Sequence, residues 1–519
     1  VNGAVSLLNT LQTNGVNVCF ANPGTSEMHF VAALDDVPGV RGVLCLFEGV
    51  ATGAADGYAR VTGQPATTLL HLGPGLGNGF ANLHNARRAH VPLINIVGDH
   101  ATFHEQYDAP LQSDIGALSS AVSGWHRKTA RPDDVANDAR DAISASYGPP
   151  GQIATLVLTA DASWGTLMST ASSWPLAIRP SLNEPDVGDL EAAVKALRGE
   201  NVALFLGGDA LGKEGLELAS RVGKATGARV ITETFPTITD RGAGIAAPER
   251  LIYLSEFAAS QLKDVATLVV VGSREPVGFF GYPDIPSRLV SEACTVLTLA
   301  APGTDAVSAL RILAEELKAP AFESPTGERP SAPTGALTTA TMAQAIGATM
   351  PDDVIVADES NTGGVHLFGA TQFCPPHQWM TLTGGAIGFG LPAALGASVG
   401  GGGRRVVAIE ADGSMMYTSQ ALWTMAREGL DVTVVALSNR SYAILNLELQ
   451  RVGATAEGAA SRRMLNLEDP TLGLAAIASG QGVPSSTVHT ADGLVSALQH
   501  SYATPGPTFI EAVLPAGLN

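Results

Sequence analysis

The sequence predicts an α/β protein of three consecutive doubly wound parallel-sheet domains. Its 519 residues exceed a single fold at about 150 residues per domain. Short β-branched runs that end in Gly, Asp or Asn recur between helical stretches, the pattern of parallel strands joined by crossover helices. Two Pro-rich segments, PLAIRPSLNEPD (175–186) and APAFESPTGERPSAPTG (319–335), interrupt that pattern, and such segments neither continue a helix nor sit inside a sheet. Boundaries near 180 and 332 follow, giving units 1–180, 181–332 and 333–519.

In the first unit the apolar runs predict strands near 16–21, 40–47, 66–72, 92–98 and 153–159. The second has runs near 202–207, 228–233 and 266–272, with the amphipathic KEGLELASRVGKATG between the first two as its helix. In the third, strands are expected near 353–357, 404–410, 432–438 and 507–514. No short-period repeat is present.

Composition narrows the function. Charged residues are 15% and hydrophobic ones 45%, which suits well-buried cores rather than a disordered chain. With 30 Lys and Arg against 49 Asp and Glu, the net charge is −19. Such a surface repels phosphate backbones and anionic lipid, so neither nucleic acid nor a membrane is expected as a partner. The cysteines Cys19, Cys45, Cys294 and Cys374 are too few and scattered for a disulfide framework, and no apolar run is long enough to span a bilayer. A soluble, untargeted, cytoplasmic protein is expected.

The chemistry gathers at predicted strand ends. Ala411-Asp412-Gly413-Ser414 follows the strand RRVVAIE and precedes the helical SQALWTMAREG. In an open parallel sheet, ligands collect at carboxyl strand ends, where helix N-termini offer N–H groups to phosphate. Taken alone, Asp-Gly-Ser is equally an ordinary turn and helix cap. Asn439, 27 residues after Asp412 at the end of the next strand, adds a second hard oxygen donor of the kind that Mg²⁺ takes together with phosphate oxygens.

ADGS followed by Ser438-Asn439 resembles the GDG...NN motif of thiamine diphosphate enzymes, with Ala411 and Ser438 in place of two residues that ligate no metal. The resemblance implies that Asp412, Asn439 and the main-chain oxygen of Ser441 hold Mg²⁺ on the cofactor diphosphate, with Gly413, Ser414 and Tyr442 around it. Glu48, in LCLFEGVATGAADGYAR (44–60), could merely cap the helix that follows it. By resemblance it is the glutamate that contacts the aminopyrimidine ring and drives its imino form.

Three more segments fit the same family. ANPGTSEMHF (21–30) resembles the loop after the first strand of benzoylformate decarboxylase and acetolactate synthase, with Thr25 in place of a substrate-binding serine. LLHLGPGLGNGFANLHNARRAHVPLINIVGDH (69–100) fails the dinucleotide fingerprint, because the sixth position is Asn78 or Phe80 where Gly is needed. It resembles instead the decarboxylase segment that starts with a catalytic histidine, here His71. TLTGGAIGFGLPAALGA (381–397) resembles the segment that bends the cofactor, with Ile387 as the wedge and Gly385 beside it. ADESNTGG (357–364) is expected to bring Glu359, Ser360, Asn361 and Thr362 near the diphosphate. SREPVGFFGYPD (273–284) aligns with the region of a second catalytic histidine and puts Phe280 there. The histidines 84, 90, 100, 104 and 126 match no zinc spacing.

The resemblance implies, in chain order, pyrimidine-binding, central and diphosphate-binding domains. It implies a thiamine diphosphate- and Mg²⁺-dependent enzyme that removes CO₂ from a 2-oxo acid and protonates or carboligates the resulting enamine, like benzoylformate decarboxylase. An acetolactate synthase-like transferase condensing two 2-oxo acids is the alternative. A homodimer or homotetramer is implied, with Glu48 of one subunit facing Asp412 of another. FAD in the central domain is possible but not indicated. A nicotinamide dehydrogenase is disfavoured by the failed fingerprint, and a noncatalytic regulatory relative by the presence of both Glu48 and Asp412.

Overall fold

The computed structural model describes residues 1–168, 173–283, 285–454 and 458–516. Asp284, at the end of the 273–284 segment, and the last three residues of the third unit lie outside the described residues.

The first sheet contains β1 (Val18–Ala21), β2 (Arg41–Leu44), β3 (Ala66–His71), β4 (Leu93–Asp99), β5 (Trp125–Thr129) and β6 (Ile153–Thr159). Its spatial order is β2-β1-β3-β4-β6-β5, all parallel. Strands β4 and β6 are buried along their whole length, as expected for central strands covered by helices on both faces. β2 is shorter than the predicted 40–47, because the chain turns after Cys45 and starts the helix Glu48–Thr62.

The middle of the chain supplies β7 (Val202–Leu206), β8 (Arg229–Thr232), β9 (Thr239–Arg241), β10 (Glu249–Arg250), β11 (Thr267–Val271) and β12 (Thr295–Ala300). Five of these form a sheet ordered β10-β8-β7-β11-β12. The predicted helix runs Lys213–Thr226, buries Leu216, Leu218, Ala219 and Val222, and stops at Gly227, whose φ of 75° only Gly adopts readily. β9 behaves differently: it pairs antiparallel with β14 of the third sheet and stitches the two units together.

The third sheet contains β13 (Ile355–Glu359), β14 (His377–Thr381), β15 (Val406–Ala411), β16 (Val432–Ser438), β17 (Ser485–Val488) and β18 (Thr508–Val513). Its order is β17-β18-β16-β15-β13-β14-β9. The predicted fold class is thus the observed one: three α/β sheets, parallel except at β9.

The first and third units share one hydrophobic core that runs through Val50, Ala54, Leu391, Ala394 and Phe389. It forms where helix Glu48–Thr62 meets helix Gly390–Gly400 at close range. A Cβ on Gly396 would lie 1.8 Å from Ala54 O, and one on Gly57 would lie 2.1 Å from Ala393 O. Glycine at these positions lets two backbones touch, which fixes the third-unit loop 384–389 against the first unit. Among the described residues no helix is long and apolar enough to cross a membrane.

Candidate active site

Two clusters of polar residues form at carboxyl strand ends. The first lies at the neighbouring strands β2, β1 and β3. Glu48 is the first residue of its helix, 6% exposed, and accepts a hydrogen bond from Asn78 Nδ2 at 3.0 Å. His71 ends β3. Gly75 separates the two, since its hypothetical Cβ would be 3.2 Å from Glu48 Oε1 and 3.5 Å from the His71 Cβ. The structure therefore brings Glu48 and His71 together from positions 23 residues apart.

His71 has a partner that the sequence reading did not single out. Glu27, 3% exposed, holds its Oε2 2.9 Å from His71 Nδ1. The same carboxylate accepts from Gly24 N at 2.7 Å and from Ser26 Oγ at 2.5 Å. A carboxylate only accepts, so in a hydrogen bond between these two groups Nδ1 is the donor, and Nε2 is the ring nitrogen that Glu27 does not engage. Gly24 is required here, because a Cβ would lie 2.2 Å from His71 Nδ1. Thr25 opens the turn Thr25–Glu27 and is exposed beside this pair.

The second cluster lies at β13, β15 and β16, again neighbours. Asp412, 3% exposed, accepts from Gly413 N at 2.8 Å and from Arg440 N at 2.6 Å. Burial pushes its carboxyl above the usual range, and the backbone N–H groups of Arg440, Gly413 and Asn439 hold it back. Asn439 Oδ1 accepts from Ser441 N at 3.1 Å. The Tyr442 ring covers Gly413, whose Cβ would lie 2.5 Å from it. Asn361 donates to Ser414 Oγ at 2.9 Å, which joins the loop after β13 to the loop after β15. Asp412, Gly413, Ser414, Asn361, Asn439, Ser441 and Tyr442 thus converge, and Thr362 follows in the turn Asn361–Gly364.

Two residues expected at a diphosphate face elsewhere. Glu359 is turned inward and accepts from Gly388 N, Phe389 N and Gly390 N at 2.7–2.8 Å. It anchors the loop that carries Ile387 and caps the helix that follows. The Ser360 hydroxyl donates back to Asp358 at 2.5 Å. Sequence alone assigned both because their segment follows a strand, and only the fold reveals which way each side chain turns.

The 384–388 loop is clamped by the first unit. Asn82 Nδ2 donates to Gly388 O at 3.0 Å, Asn85 Nδ2 to Ala386 O at 2.8 Å, and His84 Nε2 lies 3.1 Å from Gly384 O. Ile387 packs half-buried on the shared core. Gly385, with φ 74°, lies under a middle-unit ring, since its Cβ would be 2.5 Å from Phe279 Cζ. Phe279, rather than the aligned Phe280, is therefore the ring against this loop. Phe280 stacks edge-on to Phe279 at 5.2 Å, and the two are 43% and 53% exposed. Among the described residues no hydrogen bond links the Glu48 cluster to the Asp412 cluster.

Comparison with known proteins follows the same lines. Residues 1–120 match the family described as thiamine pyrophosphate enzyme, N-terminal TPP binding domain, and residues 362–512 match its C-terminal TPP binding domain. The chain belongs to the thiamine pyrophosphate enzymes. It is 53% identical, over 99% of both chains, to a Mycobacterium tuberculosis H37Rv protein named as an acetolactate synthase large subunit, IlvX. It is 29% identical to benzoylformate decarboxylase of Pseudomonas aeruginosa PAO1 over 96% of each. The thiamine diphosphate-dependent 4-hydroxybenzoylformate decarboxylase of Rhodococcus jostii RHA1 shares the fold of this thiamine pyrophosphate enzyme, with TM-score 0.84, 22% identity and full coverage of both chains.

The residues present fit both parts of the cofactor assembly. Among the described residues no group of three or more His, Cys, Asp and Glu side chains could hold a metal by itself. The side-chain oxygens at this place are the Asp412 carboxylate and the Asn439 carboxamide. Such an incomplete oxygen set suits Mg²⁺ that completes its shell on phosphate and water, and it suits zinc or iron poorly.

Proposed function

We propose that this thiamine pyrophosphate enzyme is a Mg²⁺-dependent 2-oxo acid decarboxylase of the benzoylformate decarboxylase type, with carboligation as a competing outcome. The observation that carries the reading is His71, oriented by Glu27 and separated from Glu48 only by Gly75. In this reading Asp412, Asn439 and the Ser441 carbonyl hold Mg²⁺, while Gly413, Ser414, Asn361, Thr362 and Tyr442 surround the diphosphate. When bound, thiamine diphosphate supplies the electron sink for the bonding pair that is released as CO₂ leaves.

The chain's residues then have separate tasks. Glu48 hydrogen-bonds an aminopyrimidine nitrogen and holds a proton there. Ile387 and Gly385 shape the loop on which the cofactor bends. Thr25 meets the substrate carboxylate, and His71 Nε2 exchanges a proton with the substrate carbonyl oxygen. Phe279 and Phe280 form an apolar wall suited to the side group of the 2-oxo acid. Neither ring has a proton to donate, so on this wall Phe279 and Phe280 would exclude water without acting as an acid, which favours carboligation as the competing outcome.

The acetolactate synthase-like reading is supported by the likeness to the M. tuberculosis protein. A panel of 2-oxo acids that scores CO₂ release and products decides between them. Aldehyde and acyloin from an aryl 2-oxo acid support the decarboxylase reading, and 2-hydroxy-2-acyl acids from small 2-oxo acids support the synthase. We further infer units bounded near 180 and 332, a homodimer or homotetramer in which the Glu48 cluster of one copy faces the Asp412 cluster of another, and a cytoplasmic location.

A further inference from the structure

The middle sheet carries a crevice with no task in the proposed reaction. β7 and β11 lie side by side at its centre, and the chain leaves β7 toward β8 on one side and β11 toward β12 on the other. This is the switch point at which an open α/β sheet takes a ligand, and where a dinucleotide such as FAD would lie. FAD is also the extra cofactor that an acetolactate synthase-like reading would place in this domain.

The residues at this point do not fit one. The two loops that should diverge lie backbone against backbone: a Cβ on Gly272 would be 2.3 Å from Gly207 O, and one on Gly208 would be 2.9 Å from Gly272 O. Glu233, just past β8, reaches across the opening. Its Oε2 accepts from Ser273 Oγ at 3.1 Å and lies 2.7 Å from where a Gly207 Cβ would be. The Gly208 N–H works against the burial that raises this carboxyl. That amide, at the start of the turn after β7, is the kind of donor a diphosphate takes in such folds.

The neighbouring donors are taken as well. Asp209 accepts from Ala306 N at 3.3 Å, and Asp305 accepts from Ser308 N at 2.8 Å, both at the start of helix Ala306–Glu316. A diphosphate would meet carboxylates at each place where it needs N–H groups. A cavity of about 500 Å³ exists elsewhere in this domain, beside β12, but Glu184, Asp186 and Asp189 line it and repel the same ligand.

We infer that Glu233, pinned by Ser273 and packed against Gly207, is a built-in occupant of the middle domain's anion slot, and that this domain takes neither FAD nor another dinucleotide. The inference rests on the chain's own residues and holds whichever reaction the thiamine site performs.

The test uses the full chain loaded with thiamine diphosphate and Mg²⁺, and thiamine diphosphate is quantified in the same sample so that failure of the main site is seen separately. Denatured wild-type protein should release no flavin absorbing near 450 nm, and FAD added up to about 100 μM, a range that detects any Kd of ordinary cofactor strength, should show no saturable fluorescence quenching. One FAD per chain, either retained or bound on titration, would overturn the inference. Glu233→Ala combined with Ser273→Ala clears both side chains from the slot. Provided that it keeps its thiamine diphosphate, this variant should be the first form to quench FAD saturably. Continued refusal by the folded variant would mean that Glu233 is not what closes the crevice, and would overturn the assignment to that residue.

Discussion

Glu27 illustrates what a carboxylate 44 residues from its partner can do once two strand ends meet. With Ala at this position His71 loses its orienting acceptor and Gly24 N loses its partner. We therefore expect Glu27→Ala to lower kcat at least about tenfold and to change the shape of the pH–rate profile, with cofactor affinity retained; His71→Ala should cost about 10²-fold or more in CO₂ release. A Glu27→Ala variant with an unaltered pH profile would reduce the residue to packing. Glu48→Gln should bind cofactor yet exchange its C2 proton about 10²–10⁴-fold more slowly by NMR, since an amide cannot hold the pyrimidine proton as a carboxylate does. Glu233 sets a pH dependence of stability. Burial raises its carboxyl from 4.5 to about 7, so between those values the folded chain binds more protons than the unfolded one, and this contribution to stability falls as pH rises through that window. Glu233→Gln should flatten the decline in Tm over pH 5–7, and an unchanged slope would assign the decline to other groups. At this scale the sequence singled out residues by motif spacing, Asp412 and Asn439 among them, and the strands that lead to them are neighbours in the sheet. The sequence did not disclose Glu27 or the inward turn of Glu359, because neither has a local pattern and both depend on what folds against them.

At the scale of elements, the strands legible in the sequence include the central ones. β4, β6 and β16 are apolar on both faces and stand out as continuous runs. Those passed over are chiefly edge strands: β5 with alternating exposed residues, β12, the two-residue β10, and β9 with β17 at the two ends of the third sheet. An edge strand half in water has the composition of a loop, and β9 pairs only because the third sheet offers β14 an open side. The helix contact between the first and third units was equally hidden, since Gly57 and Gly396 show what they are for only when the facing backbone is present. Gly396→Val should lower Tm by an amount matching about 1–3 kcal/mol or more of overpacking, whereas Gly480→Ala, which meets nothing within 4 Å, should leave it nearly unchanged. Equal effects of the two in thermal unfolding would show that the close approach is not what requires glycine.

For the whole molecule, the telling feature is that two separate polar clusters are built, each with its own hydrogen bonds and each at the carboxyl edge of its own sheet. Apolar side chains are left exposed past strands of both sheets. Met28, Leu46, Phe103 and Tyr107 follow β1, β2 and β4 in the first sheet, and Tyr417 and Leu445 follow β15 and β16 in the third, all of them exposed, a pattern that calls for cover by another protein surface. If copies of this chain supply that cover to one another, the site is completed between chains and can be divided genetically. Glu48→Gln and Asp412→Ala are each expected to be inactive, the second because the proposed Mg²⁺ site loses its carboxylate, and exhaustive chelation of the wild type should abolish activity in the same way. Mixed and reassembled, the two variants form two-fold assemblies in which half of the pairs are hybrids, and each hybrid holds one intact site and one doubly altered site. About a quarter of wild-type activity should then return. Sites closed within one chain would give no recovery at any mixing ratio, because every chain would carry a defect in its own site.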